Sequence, residues 1–177
     1  MARNIEIKAR IESVQALLPR ALALADGPAE VIHQDDTFFH VPAGRGRLKL
    51  REFAGGSAEL IHYQRADTGE AKASDYVRVS VTEPLALREA LARAYGVLGR
   101  VRKRRTLLMV GATRIHLDQV EGLADHMELE VVLREAQSDA EGAAIADALM
   151  HALGVAHAPR VAGAYLDALR GRELASR

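Results

Sequence analysis

Residues 4–11 alternate without a break: Asn4, Glu6, Lys8 and Arg10 fall on one face of an extended segment, and Ile5, Ile7, Ala9 and Ile11 on the other. A two-residue period predicts a β-strand with one wet face and one packed face. Residues 13–26 are rich in Ala and Leu and predict a helix, with Pro19 as a break or a late start and Gly27-Pro28 as its end. Strands are then predicted over residues 36–41, 47–53, 59–65 and 76–81, separated by the turn sequences Pro42-Ala43-Gly44, Gly55-Gly56-Ser57 and Asp67-Thr68-Gly69. An amphipathic helix over residues 84–95 opens on Pro84 and stops at Gly96. Three more strands follow at 100–110, 113–118 and 127–133. Ser138-Asp139-Ala140-Glu141 has the form of a capping box and starts a helix to about residue 153. A last short helix is predicted over 161–169. Eight strands joined mostly by short hairpins, with three or four helices, predict an α+β domain built on a largely antiparallel sheet.

The polar faces of these strands are unusual in being almost fully charged. They carry Glu6, Lys8 and Arg10; Arg47, Lys49 and Arg51; Arg65; Arg78; Lys103 and Arg105; Arg114 and Asp118; then Glu128 and Glu130. Any one such face reads as a solvated sheet surface. The set does not, because like charges opposed across strands destabilise a sheet. Rolling the sheet into a barrel gathers the same groups into a hydrated tunnel with a strong positive field. Such a tunnel suits a polyanion, since guanidinium forks match phosphate oxygens and ammonium groups act as point charges. The acids Glu6, Asp118, Glu128 and Glu130 share those faces, and carboxylates without thiolate partners favour Mg²⁺ or Mn²⁺. In Glu128-Leu129-Glu130 the two carboxylates lie roughly 6.6 Å apart along one strand face. His116 and His126 flank the acidic cluster and read either as metal ligands or proton carriers, or as ordinary tunnel-mouth histidines.

Composition narrows the classes. The 177 residues are 49% hydrophobic and 27% charged, a folded rather than disordered balance, while aromatics are 4% and Trp is absent. Without Cys there is no disulfide, zinc-thiolate or thiol chemistry. No apolar run resembles a signal peptide or a membrane span, so the expected location is cytoplasmic and no membrane partner is expected. A formal net charge of zero argues against a general nucleic-acid binder. Gly44-Arg45-Gly46-Arg47 lacks the spacing of a P-loop.

Taken in order, several short pieces resemble the CYTH superfamily, the triphosphate tunnel metalloenzymes that include class IV adenylyl cyclases, thiamine triphosphatases and inorganic triphosphatases. They are Asn4-Ile5-Glu6-Ile7-Lys8, Gln34-Asp35-Asp36-Thr37-Phe38-Phe39, Arg47-Leu48-Lys49-Leu50-Arg51, Tyr63-Gln64-Arg65, Arg78, Arg102-Lys103-Arg104-Arg105, Ile115-His116-Leu117-Asp118, Glu121-Gly122-Leu123 and Glu128-Leu129-Glu130. The resemblance spans nearly the full chain and implies a single domain over residues 1–177. It also implies a closed eight-stranded antiparallel β-barrel with helices outside, often as a homodimer, using Mg²⁺ or Mn²⁺. Carried over by position, Glu6, Asp118, Glu128 and Glu130 would ligate metal. Lys8, Arg47, Lys49, Arg51, Arg65, Arg78, Lys103 and Arg105 would contact phosphate. The family's first glutamate is Asn4 here, which removes one charge from the metal site. The implied activity is adenylyl cyclisation of ATP to cyclic AMP and pyrophosphate, or hydrolysis of a triphosphate such as ATP, inorganic triphosphate or thiamine triphosphate. No general base is assignable. A non-catalytic polyphosphate or nucleotide-binding module is the alternative.

Overall fold

A computed structural model describes residues 3–65 and 72–175, and the side chains of all of these but residues 65 and 72–75. The elements run β1 (Arg3–Arg10), α1 (Val14–Leu24), β2 (Glu30–Phe39), β3 (Arg47–Phe53), β4 (Ala58–Arg65), β5 (Lys72–Val81), α2 (Pro84–Tyr95), β6 (Val97–Val110), β7 (Thr113–Val120), β8 (His126–Leu133), α3 (Asp139–Ala152) and α4 (Tyr165–Ala175). The eight strands curl into one ring in the order β1-β5-β4-β3-β2-β6-β7-β8, every neighbour antiparallel. β1 closes it. Along β8 it pairs from Arg3↔Leu133 to Arg10↔His126, and among the described residues it pairs with β5 at Ile5↔Ala73 and Glu6↔Lys72.

Local chemistry explains most boundaries. Ser13 caps α1 by accepting from Ala16 N, and Asp125 accepts from Val14 N. In α3 the reciprocal box forms, with Ser138 Oγ accepting from Glu141 N and the Glu141 carboxylate accepting from Ser138 N. α2 matches its sequence signals at both ends, and Gly96 takes a φ of 73° that a side chain would disfavour.

Three expectations are corrected. Pro19 neither breaks nor delays α1 but lies inside it; it and Gln15 are exposed, so the carbonyl that loses its donor faces water. β2 begins at Glu30 rather than residue 36, because β6 is fourteen residues long and supplies partners back to Leu107. The last helix starts at Tyr165 rather than 161. Residues 159–161 are held extended along β1 by Arg10 N–Pro159 O and Val161 N–Lys8 O bonds, both 2.9 Å, and Gly163 turns the chain at a φ of 74°. The Asp67-Thr68-Gly69 turn lies outside the described residues.

The apolar strand faces point outward, under the helices. Ile5, Ile7, Ile115, Leu117, Met127 and Leu129 form the main core with α1 and α3. Phe39, Leu50 and Ala58 form a smaller one beneath α2. α3 lies so close to the barrel that a Cβ at Gly142 would sit 2.5 Å from Leu133 Cδ2 and 2.7 Å from Ile5 Cγ1. Helix propensity favours alanine at such a site by about 0.5–1 kcal/mol, but overpacking costs about 1–3 kcal/mol. Gly142→Ala is therefore expected to lower the melting temperature; a rise in a thermal melt would show that α3 can shift outward without loss.

Candidate functional site

The inward strand faces enclose a cavity of about 340 Å³ lined by charge. Two buried carboxylates organise its cations. Asp36 on β2 accepts from Lys49 Nζ at 2.7 Å and from Arg51 Nε and Nη2 at 2.7 Å each, Arg51 being its register partner on β3. Two strands along the ring, on the far side of β6, Asp118 of β7 accepts from Arg105 Nε and Nη2 at 2.7 Å, again across the ladder, while Lys103 Nζ stands 3.7 Å away. Tyr165 OH donates to the same carboxylate at 2.9 Å. These pairings fix the cations in place and leave the lumen rich in positive charge.

Aromatic rings seat the same cations. Lys49 Nζ lies 5.4 Å from the Phe38 ring centre and 5.6 Å from that of Tyr63. Lys8 and Lys103 lie 4.4 and 5.2 Å from the Tyr165 ring centre, and Lys8 Nζ donates to Gly163 O at 3.0 Å. The segment leading into α4 thus closes one end of the tunnel, packed against Phe38, Ile61 and Val101.

Burial and crowding set the protonation states. For Asp36 burial opposes ionisation, but Lys49 and Arg51 outweigh it and hold the carboxyl far below its usual range. Asp118 is likewise held low by Arg105 and Lys103 against the effect of burial. Burial, reinforced by Arg51, lowers Lys49 to about 8, and burial with Arg105 lowers Lys103 to about 7. Both lysines therefore lose protons in the folded protein well below their ordinary value near 10.5. Above pH 7 the unfolded chain binds more protons than the folded one at these positions. Their contribution to stability accordingly rises with pH from about 7 toward 10, whereas affinity for a polyanion falls over the same interval. Triphosphate binding at pH 8 should draw protons onto these lysines. Calorimetry in buffers of different ionisation enthalpy should show proton uptake; a binding heat independent of buffer would contradict these protonation states.

The acids cluster where β1, β7 and β8 meet. Glu6 stands directly opposite Glu130, which in turn opposes Arg114. Lys8 opposes Glu128, which opposes His116. Facing carboxylates at Glu6 and Glu130 are costly without a counter-charge. Asn4 Nδ2 donates to Glu130 Oε1 at 2.5 Å, and Arg114 Nη1 is 3.1 Å from the same oxygen. Glu128 Oε2 lies 3.1 Å from Arg105 Nη2 and 3.7 Å from His116 Nδ1. Burial opposes ionisation of Glu128, yet Lys8 and His116 keep its pKa well below the ordinary value. Burial pushes the His116 pKa down, and Arg105 adds to this.

Among the described residues no three histidine or acidic side chains already converge as a metal cage. The donor set nevertheless fits a hard divalent cation. It offers carboxylate oxygens without sulfur, and two buried atoms, Asn4 Oδ1 and His116 Nδ1, have no hydrogen-bond partner.

The structure brings Glu6, Lys8, Lys49, Arg51, Arg78, Lys103, Arg105, Glu128 and Glu130 to the lumen. Arg78 is at its wet end, its side chain 54% exposed. Asp118 is fully buried, its carboxylate bonded to the Arg105 guanidinium, and it does not itself line the lumen. Arg47 stays at the rim, its guanidinium bonded to Asp167 of α4 at 2.7 and 3.0 Å. The Arg65 side chain lies outside the described residues. His126 stands opposite Asp118 across β7–β8, bonded through Nδ1 to Ala124 O and set edge-on to Tyr165. Sequence reasoning gave no role to Asp36, although it shares the inward face of β2 with Gln34 and Phe38. It also gave none to Tyr165, which no alternating pattern marks.

The CYTH domain family model matches residues 2–165. No curated protein matches the sequence. Among solved structures, the PH1012 protein of Pyrococcus horikoshii is 22% identical, with 86% of this chain and 90% of that one covered at a TM-score of 0.76. A candidate adenylate cyclase of Vibrio parahaemolyticus is 22% identical over 98% of each chain, TM-score 0.73. The Hippeastrum protein HpAC1, described as an adenylyl cyclase candidate with a dominant triphosphatase activity, is 16% identical over 97% of this chain and 96% of that one, TM-score 0.69. At these identities the likeness is one of fold. No helix among the described residues is long and apolar enough to cross a membrane.

Proposed function

This chain belongs to the CYTH family, and on that premise we propose that it binds a triphosphate in its tunnel and hydrolyses it with a divalent cation. The observation that carries this reading is the convergence of Lys8, Lys49, Arg51, Lys103 and Arg105 on one lumen whose aromatic faces already seat lysines. The rings of Phe38, Tyr63 and Tyr165 are thereby taken up as cation seats, Tyr76 lies against Arg78 and Phe39 is buried under α2, so the phosphate chain carries recognition, with Phe53 left at the lumen to meet a base.

The chain's residues divide the work. Arg51 and Arg105, pinned by Asp36 and Asp118, present fixed forks to non-bridging oxygens. Lys8, Lys49 and Lys103 neutralise the remaining charge, the last two gaining protons as the polyanion arrives. Glu6, Glu128 and Glu130, with Asn4 and His116, would hold Mg²⁺ or Mn²⁺, which supplies charge neutralisation and an activated water. Water adds to the terminal phosphorus, the bridging P–O bond breaks, and the cationic wall stabilises charge on the departing pyrophosphate. HpAC1's described triphosphatase activity on the same fold supports hydrolysis. The Vibrio relative supports a second reading, in which a ribose hydroxyl attacks the innermost phosphorus of ATP.

Ion-exchange analysis after incubation with inorganic triphosphate or ATP, plus Mg²⁺ or Mn²⁺, separates these. Orthophosphate is the expected product. Cyclic AMP with pyrophosphate would replace hydrolysis by cyclisation. Intact substrate throughout would leave a binding module.

A further inference from the structure

A histidine sits in the acidic cluster. His116 projects into the tunnel from β7, only 6% exposed, between the two glutamates of β8. Its Nδ1 is 3.7 Å from Glu128 Oε2, and its Nε2 is 3.9 Å from Glu130 Oε2. Neither separation is a hydrogen bond. Nδ1 is buried and has no hydrogen-bond partner among the described residues, and buried imidazole nitrogens are ordinarily satisfied, so a structural role for this ring is incomplete as it stands. His126 shows the contrast: its Nδ1 is 2.7 Å from Ala124 O.

The separations suit a shared cation. Two donors each about 2.1 Å from one ion lie about 3.0 Å apart at right angles and about 4.2 Å apart when opposed. The gap from His116 Nδ1 to Glu128 Oε2, 3.7 Å, falls between these limits. Farther along the cluster, on the side that Nε2 faces, Asn4 is held to Glu130 through Nδ2, and its buried Oδ1 has no hydrogen-bond partner among the described residues. The cluster thus offers neutral donors, an imidazole and an amide, beside its carboxylates. Mg²⁺ demands oxygen donors and sheds water reluctantly, whereas imidazole suits first-row transition ions.

We propose that His116 Nδ1 is a nitrogen ligand of the tunnel's divalent cation and that this ligand makes the site prefer Mn²⁺ over Mg²⁺. The inference rests on the metal reading above, and its test separates the two. The full chain is loaded with Mn²⁺ alone and examined by pulsed electron paramagnetic resonance. The bound ion should show the nitrogen hyperfine coupling of a ligated imidazole. That coupling should vanish in His116→Gln and persist in His126→Gln. Calorimetry should show Mn²⁺ affinity falling at least about tenfold in His116→Gln, with Mg²⁺ affinity barely changed. Bound Mn²⁺ without nitrogen coupling in the unaltered protein would overturn the inference while leaving the metal site standing, as would coupling that survives His116→Gln. Failure of the unaltered protein to bind Mn²⁺ at all would overturn both.

Discussion

Glu130→Ala is expected to reduce metal-dependent turnover by on the order of a hundredfold or more, since even residues that only orient metal ligands contribute 10–100-fold. The same variant should melt only modestly lower than the unaltered protein, since the buried Asn4 Nδ2 loses its acceptor, at about 1–3 kcal/mol before any offset. Glu130 faces Glu6 across the ladder, so its removal relieves a like-charge opposition and deletes no core volume. Its partner Arg114 is already 36% exposed and can be solvated in its place. Rates measured with Mn²⁺ alongside a thermal melt decide the matter. Undiminished turnover would remove Glu130 from the metal site, and a collapse in melting temperature would assign it to the fold instead.

Asp118→Ala should do the opposite and strike stability first. Its carboxylate is fully buried and accepts two bonds from Arg105 and one from Tyr165. Breaking a buried pair from one side leaves an uncompensated charge and costs about 3–5 kcal/mol. Glu128, 3.1 Å from the same guanidinium, places the expectation near the lower end. For a chain of this size that is a fall of roughly 6–12 °C in melting temperature. Carboxylate pKa direction gives a second signature: because Asp118 is held below its unfolded value, its stabilisation is present at neutral pH and lost as pH falls through the acid range. The variant should therefore lose part of the protein's acid-induced destabilisation. A variant that melts normally but binds Mn²⁺ weakly would make Asp118 a metal ligand, as its place on the strand suggested.

The two carboxylates show where sequence reading succeeds and stops. Alternation places both Asp118 and Glu130 on inward faces, and it does so for Lys8, Lys49, Arg51, Lys103 and Arg105 as well. It does not say which inward acid will be enclosed by guanidinium and which will face the lumen. That depends on the ladder partner: Asp118 meets Arg105 across β6–β7, whereas Glu130 meets Glu6 across β1–β8. Asp36 was passed over for the same reason, since its importance comes from lying opposite Arg51. Arg47 shares a face with Lys49 and Arg51, yet it sits one step nearer the rim, where Asp167 of α4 reaches it.

The sequence by itself determined the number of strands and helices, most of their inward and outward faces, the α3 capping box and the overall balance of charge, because each follows from a period or a spacing of a few residues. Only the tertiary structure decided the ring order, with β1 beside both β5 and β8 and β2 beside β6. It alone also decided the sharing-out of the buried acids and the use of Tyr165 as the tunnel's stopper. Those outcomes depend on register between segments up to a hundred or more positions apart, and a local pattern has no term for which partner such a segment will meet.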